Sequence, residues 1–257
     1  MNAISVTLMT FFCCVIGYAL GGLLERALPE SELSDRSRDV LKDATGMIAT
    51  LAALVLGLLV TSAKATFDKS ADRVSESGAK VIEIDRMLRH FGPEGQSARE
   101  HIRRYTLLLV DRLERGQRHP GGQEVPETER AVLVDDIMAR PIRALEAKSD
   151  ELKELKADVL EAVKSLASSR WQMIEESYNP LPKPFLILMF FWLGVLFLGF
   201  GIVAPVKPTV VVAMMLCALS VAGAVYLIME MNRPLSGALR IPSMPLRLAL
   251  DIMDNPT

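Results

Sequence analysis

Four long apolar runs, separated by charged segments, dominate the pattern of hydrophobic and polar positions along the chain. They cover residues 4–24, 44–63, 185–204 and 209–229. An apolar run of about 20 residues matches the length of an α-helix that crosses the hydrocarbon core of a bilayer. The pattern therefore predicts four membrane-spanning helices. No Lys or Arg precedes the first run, which favours a retained membrane helix over a cleaved signal peptide.

The second apolar run continues into a charged segment that contains no proline. One long helix is therefore predicted from Asp43 to Arg89, after a polar loop at residues 25–43. The sequence His90-Phe91-Gly92-Pro93 supplies the breaker that ends this helix. The helix is expected to leave the membrane as a stalk.

The polar segment that follows the stalk repeats its apolar residues at helical spacing, without the alternation of a strand. One helix is predicted around Tyr105, another from about Thr128 with an interruption at Pro141, and a further one carries apolar residues from Leu145 to Leu166 at near-heptad spacing. These helices are expected to form a bundle that shares its apolar faces with the stalk.

The predicted fold is all-α: an integral membrane protein with four transmembrane helices and an extramembrane helical bundle between spans 2 and 3. The predicted domains are residues 1–63 with spans 1 and 2, residues 64–183 with the bundle, residues 184–230 with a hairpin of spans 3 and 4, and residues 231–257. The last segment is an amphipathic tail, expected to lie along the membrane surface or on the bundle.

Composition agrees with this division and excludes several classes of function. Half of the 257 residues are hydrophobic, yet 23% are charged, which suits a chain divided between membrane and water. A net charge of -2 gives no basic field for nucleic acid. The motifs GxxxxGK[ST], GxGxxG, HExxH and CxxC are all absent, so neither an enzyme, a cofactor nor a metal site is predicted.

Small residues in the spans mark faces for close helix contact. Gly17 and Gly21 form a GxxxG pair in the first span. In the second span, at 100° per residue, small residues gather on one face and bulkier residues on the opposite face. The small face, predicted to pack on the first or third span, consists of Gly46, Ala49, Ala53 and Gly57.

The bulky face of the second span has two interpretations. It consists of Leu58 and of the five residues predicted to line a pore, which are Ile48, Leu51, Val55, Leu59 and Ser62. Either these side chains meet lipid, or copies of the helix surround an axis and form an apolar constriction that gates ions by wetting and dewetting. In the second case Lys64 and Lys69 would lie at the cytoplasmic mouth of the pore and attract anions.

Short motifs along nearly the whole chain resemble the bacterial bestrophin-like membrane proteins, a family defined by a domain of unknown function. The residues that carry the resemblance are Glu76 on the stalk, Tyr105, Arg170 before the third span, and Arg233, Pro234 and Gly237 after the fourth. Bestrophins are pentameric anion channels whose second membrane helix lines the pore. The Leu-Gly-Phe of bestrophins is replaced here by Leu56-Gly57-Leu58, without the aromatic residue.

The resemblance implies a homo-oligomer, possibly a pentamer, that lies in a lipid bilayer and conducts inorganic anions. It also implies the inner membrane of a bacterium. The count of Lys and Arg near the ends of all four spans places both termini and the helical domain in the cytoplasm, although the first helix alone argues the reverse. A non-conducting membrane scaffold or sensor, whose helical domain binds a partner protein, is the alternative function.

Overall fold

The structure, a computed structural model, describes residues 3–29, 34–115, 138–177, 183–204, 207–232 and 239–255. Its secondary structure within these ranges is helical, which confirms the predicted all-α fold. The helices are α1 (Ala3–Ala27), α2 (Asp35–Arg89), α3 (Gln96–Arg115), α4 (Arg140–Arg143), α5 (Asp150–Ser177), α6 (Lys183–Val203), α7 (Pro208–Met231) and α8 (Met244–Asp254).

The chain divides into two compact units. The first unit comprises Met1–Thr66 and Pro180–Asn232, and the second comprises Phe67–Asn179 and Arg233–Thr257. Four helices, α1, α2, α6 and α7, are long and apolar enough to cross a membrane, which confirms the four predicted spans. The helix α2 belongs to both units, because it continues through 55 residues without a break.

The beginning of α2 differs from the prediction. The segment before Asp43 is not wholly a polar loop, because the helix already begins at Asp35. Ser34 caps it: the backbone N–H of Ser37 donates to the Ser34 hydroxyl at 3.4 Å, a typical N-cap arrangement. At its other end α2 stops at Arg89, and Gly92 then adopts a positive φ of 60°, as the predicted breaker requires.

Close contact between α1 and α6 forms the centre of the first unit. A Cβ atom placed on Gly17 would lie 2.8 Å from the carbonyl oxygen of Gly194, and one placed on Gly21 would lie 2.8 Å from the Cα of Gly201. The GxxxG pair therefore packs within the chain, with glycines on both helices. Contacts of this kind let membrane helices approach through their backbones.

A separate apolar core holds the second unit together. Its buried side chains come mainly from α2, α3, α4, α5 and α8, and the large fully buried ones include Ile84, Leu88, Ile102, Ile142 and Leu166. The helix α5 begins at Asp150, so the predicted apolar position Leu145 precedes it but is buried in the same core. Pro141 lies in the first turn of α4, where its missing N–H has no helical partner to lose.

The predicted amphipathic tail lies on the second unit. Leu246, Ala249 and Met253 of α8 are buried, and the carbonyl oxygen of Ile252 accepts a hydrogen bond from Arg89 at 3.1 Å. A Cβ atom on Gly78 would lie 2.8 Å from the carbonyl oxygen of Pro245, so α8 begins directly against the backbone of α2. The helix predicted from about Thr128 falls outside the described residues.

Candidate functional site: the uncovered face of the second span

One side of the apolar half of α2 packs on its own chain. Thr45 is buried and lies against Gly199 of α6, where a Cβ atom would meet the threonine hydroxyl. Ile48, Leu56 and Leu59 are half-buried and pack against the apolar core of the first unit. These positions are separated by three, eight and three residues, so at 100° per residue they follow one side of the helix.

The opposite side of the same segment is not covered by any residue that the structure describes. Its bulky residues are strongly exposed: Met47 at 72%, Leu51 at 54%, Leu54 at 62% and Leu58 at 63%. These four follow one another at intervals of three or four residues and form a continuous apolar stripe. In a membrane helix this stripe has two possible neighbours, lipid or another protein chain.

The five residues predicted to line a pore are divided between the two sides. Leu51 and Ser62 are exposed on the uncovered side, whereas Ile48, Val55 and Leu59 are half-buried on the other. The helical wheel separates bulky from small residues, but it carries no information about which side of α2 the other helices cover. Leu54, which sequence reasoning missed, and Leu58, which it placed on the bulky face but not among the pore-lining residues, occupy the middle of the uncovered face.

The four residues predicted for helix packing also separate. Ala49 is half-buried and packs against the core of the first unit. A Cβ atom on Gly46 or Gly57 would meet no other atom within 4 Å, and Ala53 is exposed. The side that α2 uses within the chain is therefore the one that carries Thr45. Close packing of Gly46, Ala53 and Gly57 on the first or third span stays a prediction.

Charged residues follow the span on the same helix. Lys64 and Lys69 are exposed, and each interacts with another group. Asp68, Asp72 and Glu76 are exposed beside them. The ammonium group of Lys80 lies 2.8 Å from the Glu76 carboxylate, and its hydrogen bond lowers the pKa of Glu76 below the ordinary value.

The residues that carried the resemblance do not form one cluster among those that the structure describes. Glu76 is exposed on α2, while Tyr105 is buried in the core of the second unit. Arg170 lies on α5, with its side chain outside the described part. Arg233, Pro234 and Gly237 fall outside the described residues altogether.

Among the described residues, no group of three or more His, Cys, Asp or Glu side chains could hold a metal ion. Glu230, at the end of α7, is buried and interacts with another group.

The fold and the uncovered stripe define an α-helical membrane protein in which one long helix joins a four-span unit to a helical bundle. The Bestrophin-like domain family matches this chain over residues 12–246, so the chain belongs to that family. Membership supports a membrane protein of the channel type. A comparison with curated proteins gives no match.

Solved structures share the fold over nearly the whole chain. A membrane protein variant with a single substitution is similar with a TM-score of 0.62 and 13% identity, covering 98% of this chain and 99% of that one. Two single-substitution variants of a bacterial bestrophin homologue from Klebsiella pneumoniae give TM-scores of 0.59 and 0.60, both at 13% identity. Each covers 99% of this chain, with 100% and 97% of the homologue's chain aligned.

Proposed function

We propose that the protein is a homo-oligomeric ion channel whose constriction is formed by the uncovered stripe of α2. One observation carries the proposal: within the apolar half of α2, Leu51, Leu54 and Leu58 stay exposed after the first unit has packed. Four spans cannot enclose a pore alone, so copies of the chain must surround an axis. Rings of bulky apolar side chains then gate ions by dewetting.

The small residues of α2 give this ring a way to close. Gly46, Ala53 and Gly57 lie on one flank of the exposed stripe and have open space beside them, while Ser62 lies on the other flank, next to Leu51 of the stripe. A small flank of one copy fits against the bulkier flank of the next. Such head-to-tail contacts close into rings when the rotation allows it. The stripe around Leu54 then faces the axis.

The same proposal places the channel in the inner membrane of a bacterium, with both termini and the second unit in the cytoplasm. The count of Lys and Arg near the ends of the four spans supports this orientation. Family membership and the number of spans support the membrane location.

For the conducted ion, the resemblance and the two lysines favour inorganic anions. A second candidate, cation conduction, is favoured by the charges that continue the stripe along α2. Asp72 lies 18 residues after Leu54, and Glu76 lies 18 residues after Leu58. This separation is about five turns, so each acid shares a face with its leucine. Lys69 stands in the same relation to Leu51.

Recordings from purified protein in planar bilayers test the channel and its constriction together. Replacement of Leu54 or Leu58 by Ser should wet the constriction and raise the current several-fold. Leu216→Ser is a matched control, because Leu216 is equally exposed on α7 but belongs to another span. If the wild-type protein and every variant give no current, and the protein is monomeric in detergent, the channel proposal is wrong and the membrane scaffold or sensor is favoured.

The placement of the constriction has its own control. Ile48→Ser changes a residue of the predicted pore set that packs on the core of its own unit. It should reduce stability without the gain in current expected for Leu54→Ser. A gain in current from Ile48→Ser, with none from Leu54→Ser, would return the pore to the side first predicted.

A further inference from the structure

Lys80, in the part of α2 that belongs to the second unit, has its ammonium group held between two other side chains. The ammonium group lies 2.8 Å from the carboxylate of Glu76, one turn earlier on the same helix. It also donates a hydrogen bond to the Ser165 hydroxyl of α5 at 2.7 Å. The Lys80 side chain is only 20% exposed. A lysine on an open surface moves among many rotamers, whereas these contacts give the ammonium group of Lys80 a defined position.

The hydrogen bond between Lys80 and Ser165 joins two helices that are packed on each other. The two residues are 85 positions apart in the sequence. Val81 and Leu166, which directly follow Lys80 and Ser165, are both buried in the apolar core of the second unit. That core holds the two backbones together, so Ser165 presents its hydroxyl to Lys80 from a fixed place on α5.

Glu76 remains accessible although it is paired with Lys80. Its side chain is 54% exposed and lies on the side of α2 that continues the stripe at Leu58. The hydrogen bond and the charge of Lys80 lower the pKa of Glu76, so the pair consists of two full charges at neutral pH. Opposite charges this close together largely cancel each other's field at longer distances.

We propose that Lys80 determines the ion selectivity of the channel by neutralising Glu76, and that Ser165 positions it for this role. The role rests on the proposed function, in which copies of α2 surround an axis with the side of Leu58 facing inward. Each subunit then contributes one Glu76–Lys80 pair without net charge. Without the ammonium groups the carboxylates would form a ring of negative charge, and such rings favour cations. Lys80 therefore limits the preference of the pore for cations.

Reversal potentials of the purified protein in planar bilayers, in a tenfold gradient of KCl, test this role. Lys80→Gln removes the ammonium group, so the permeability ratio of K⁺ to Cl⁻ should rise at least about twofold. Lys80→Arg keeps the charge and should retain the wild-type ratio. Lys156→Gln is the matched control: Lys156 of α5 donates to the carbonyl oxygens of Arg143 and Leu145, so this variant loses a lysine that is held by other partners. It should leave the ratio unchanged.

Variants of the two partners show whether Lys80 acts through Glu76. Glu76→Gln should shift the permeability ratio toward Cl⁻, because it leaves the ammonium group without this carboxylate. Glu76→Gln combined with Lys80→Gln should restore a ratio close to wild type, since both charges are removed. Ser165→Ala should shift the ratio toward K⁺ by less than Lys80→Gln, because the ammonium group loses one contact but keeps its charge. A double variant as selective for K⁺ as Lys80→Gln alone would overturn the proposed role.

The outcomes separate this role from the proposed function. If Leu54→Ser raises the current but Lys80→Gln keeps the wild-type ratio, or changes it no more than Lys156→Gln does, the role of Lys80 is wrong and the channel stands. If Lys80→Gln fails to fold, Glu76→Gln and Ser165→Ala make the same test with shifts of opposite sign. A wild-type protein that is monomeric and gives no current contradicts both the channel and the role of Lys80.

Discussion

Individual glycines decide how closely the helices of the first unit approach. Gly17 and Gly21 of α1 meet Gly194 and Gly201 of α6, and a Cβ atom at these contacts would overlap backbone atoms. Backbone atoms cannot move aside as the tip of a flexible side chain can. The GxxxG spacing was visible in the sequence, but its partner was not, because a spacing on one helix says nothing about which helix it faces.

Gly201→Ala should destabilise the protein by about 1–3 kcal/mol, the usual cost of forcing an extra methyl group into a packed contact. The added carbon would meet the carbonyl oxygen of Tyr18 and lie 2.9 Å from the Cα of Gly21. Thermal unfolding in detergent measures the effect. Gly223→Ala is the matched control, because its added carbon would meet nothing within 4 Å. Equal melting temperatures for the two variants would contradict the close contact.

A single buried carboxylate organises charge in the second unit. Asp85 is 1% exposed and lies 2.8 Å from the guanidinium of Arg89 and 2.7 Å from that of Arg99. Since Arg89 also donates to the carbonyl oxygen of Ile252, this network connects α2, α3 and α8. The sequence shows three ordinary charged residues here, and only the packing of three helices brings them together.

Asp85→Asn should cost about 3 kcal/mol in the free energy of unfolding, near the lower end for a broken buried ion pair, because both arginines keep part of their contact with water. Denaturant unfolding monitored by circular dichroism gives the value. Glu83→Gln removes an exposed carboxylate of the same helix and should leave stability nearly unchanged. A cost for Asp85→Asn no greater than that for Glu83→Gln would show that the network contributes little.

Helices as whole elements divide into those that the sequence predicts well and those that it does not. The four spans and the end of α2 at Arg89 follow from apolar length and from a glycine breaker, which are local signals. The start of α2 at Asp35 was missed, because a charged helical turn capped by Ser34 looks like a polar loop. The side of α2 that packs on the chain depends on α6, which is distant in sequence.

The C-terminal helix α8 is joined to α3 by an ion pair whose strength should depend on pH. Arg103 donates a hydrogen bond to Asp254, and this bond lowers the pKa of the Asp254 carboxyl below its ordinary value. A lowered pKa in the folded protein means that the ionised carboxylate stabilises it. That contribution is fully present above the ordinary carboxyl pKa and is lost as the pH falls through the lowered pKa.

Hydrogen exchange should therefore show that the end of α8 keeps its protection through mildly acidic pH and loses part of it only below the ordinary pKa of an aspartate. Asp254→Asn should reduce the protection at neutral pH and remove this step, with a small effect because the pair is exposed. Asp251→Asn, a change on the same helix away from Arg103, should keep the step. A step that persists in Asp254→Asn would assign it to another group.

At the scale of the whole molecule, the family and the fold can be predicted from short motifs and four apolar runs. The identity of the conducted ion cannot be predicted from them. Selectivity depends on which charges face the axis once copies assemble, and one chain fixes only the faces it leaves uncovered. The exposed face of α2 carries Lys69, but also Asp68 and Asp72, and Glu76 is paired with Lys80. Asp72 and Glu76 lie in line with Leu54 and Leu58, so the acids on this line support cation conduction as the alternative to the anions implied by resemblance.

Reversal potentials in a tenfold gradient of KCl decide between the two ions. A perfectly selective pore reaches about 59 mV, with opposite signs for K⁺ and Cl⁻. We expect the sign for K⁺, because Asp72 lies on the face of α2 that continues the Leu54 stripe. Asp72→Asn should move the reversal potential toward zero, since it removes one negative charge from every subunit around the axis.

Lys69→Gln is the matched control with the opposite change in charge, and it should move the reversal potential further toward the value for K⁺. The opposite result would be a wild-type reversal potential with the sign for Cl⁻ that Lys69→Gln shifts toward zero and Asp72→Asn leaves unchanged. It would show that Lys69 sets the selectivity at the mouth of the pore and that the channel conducts anions.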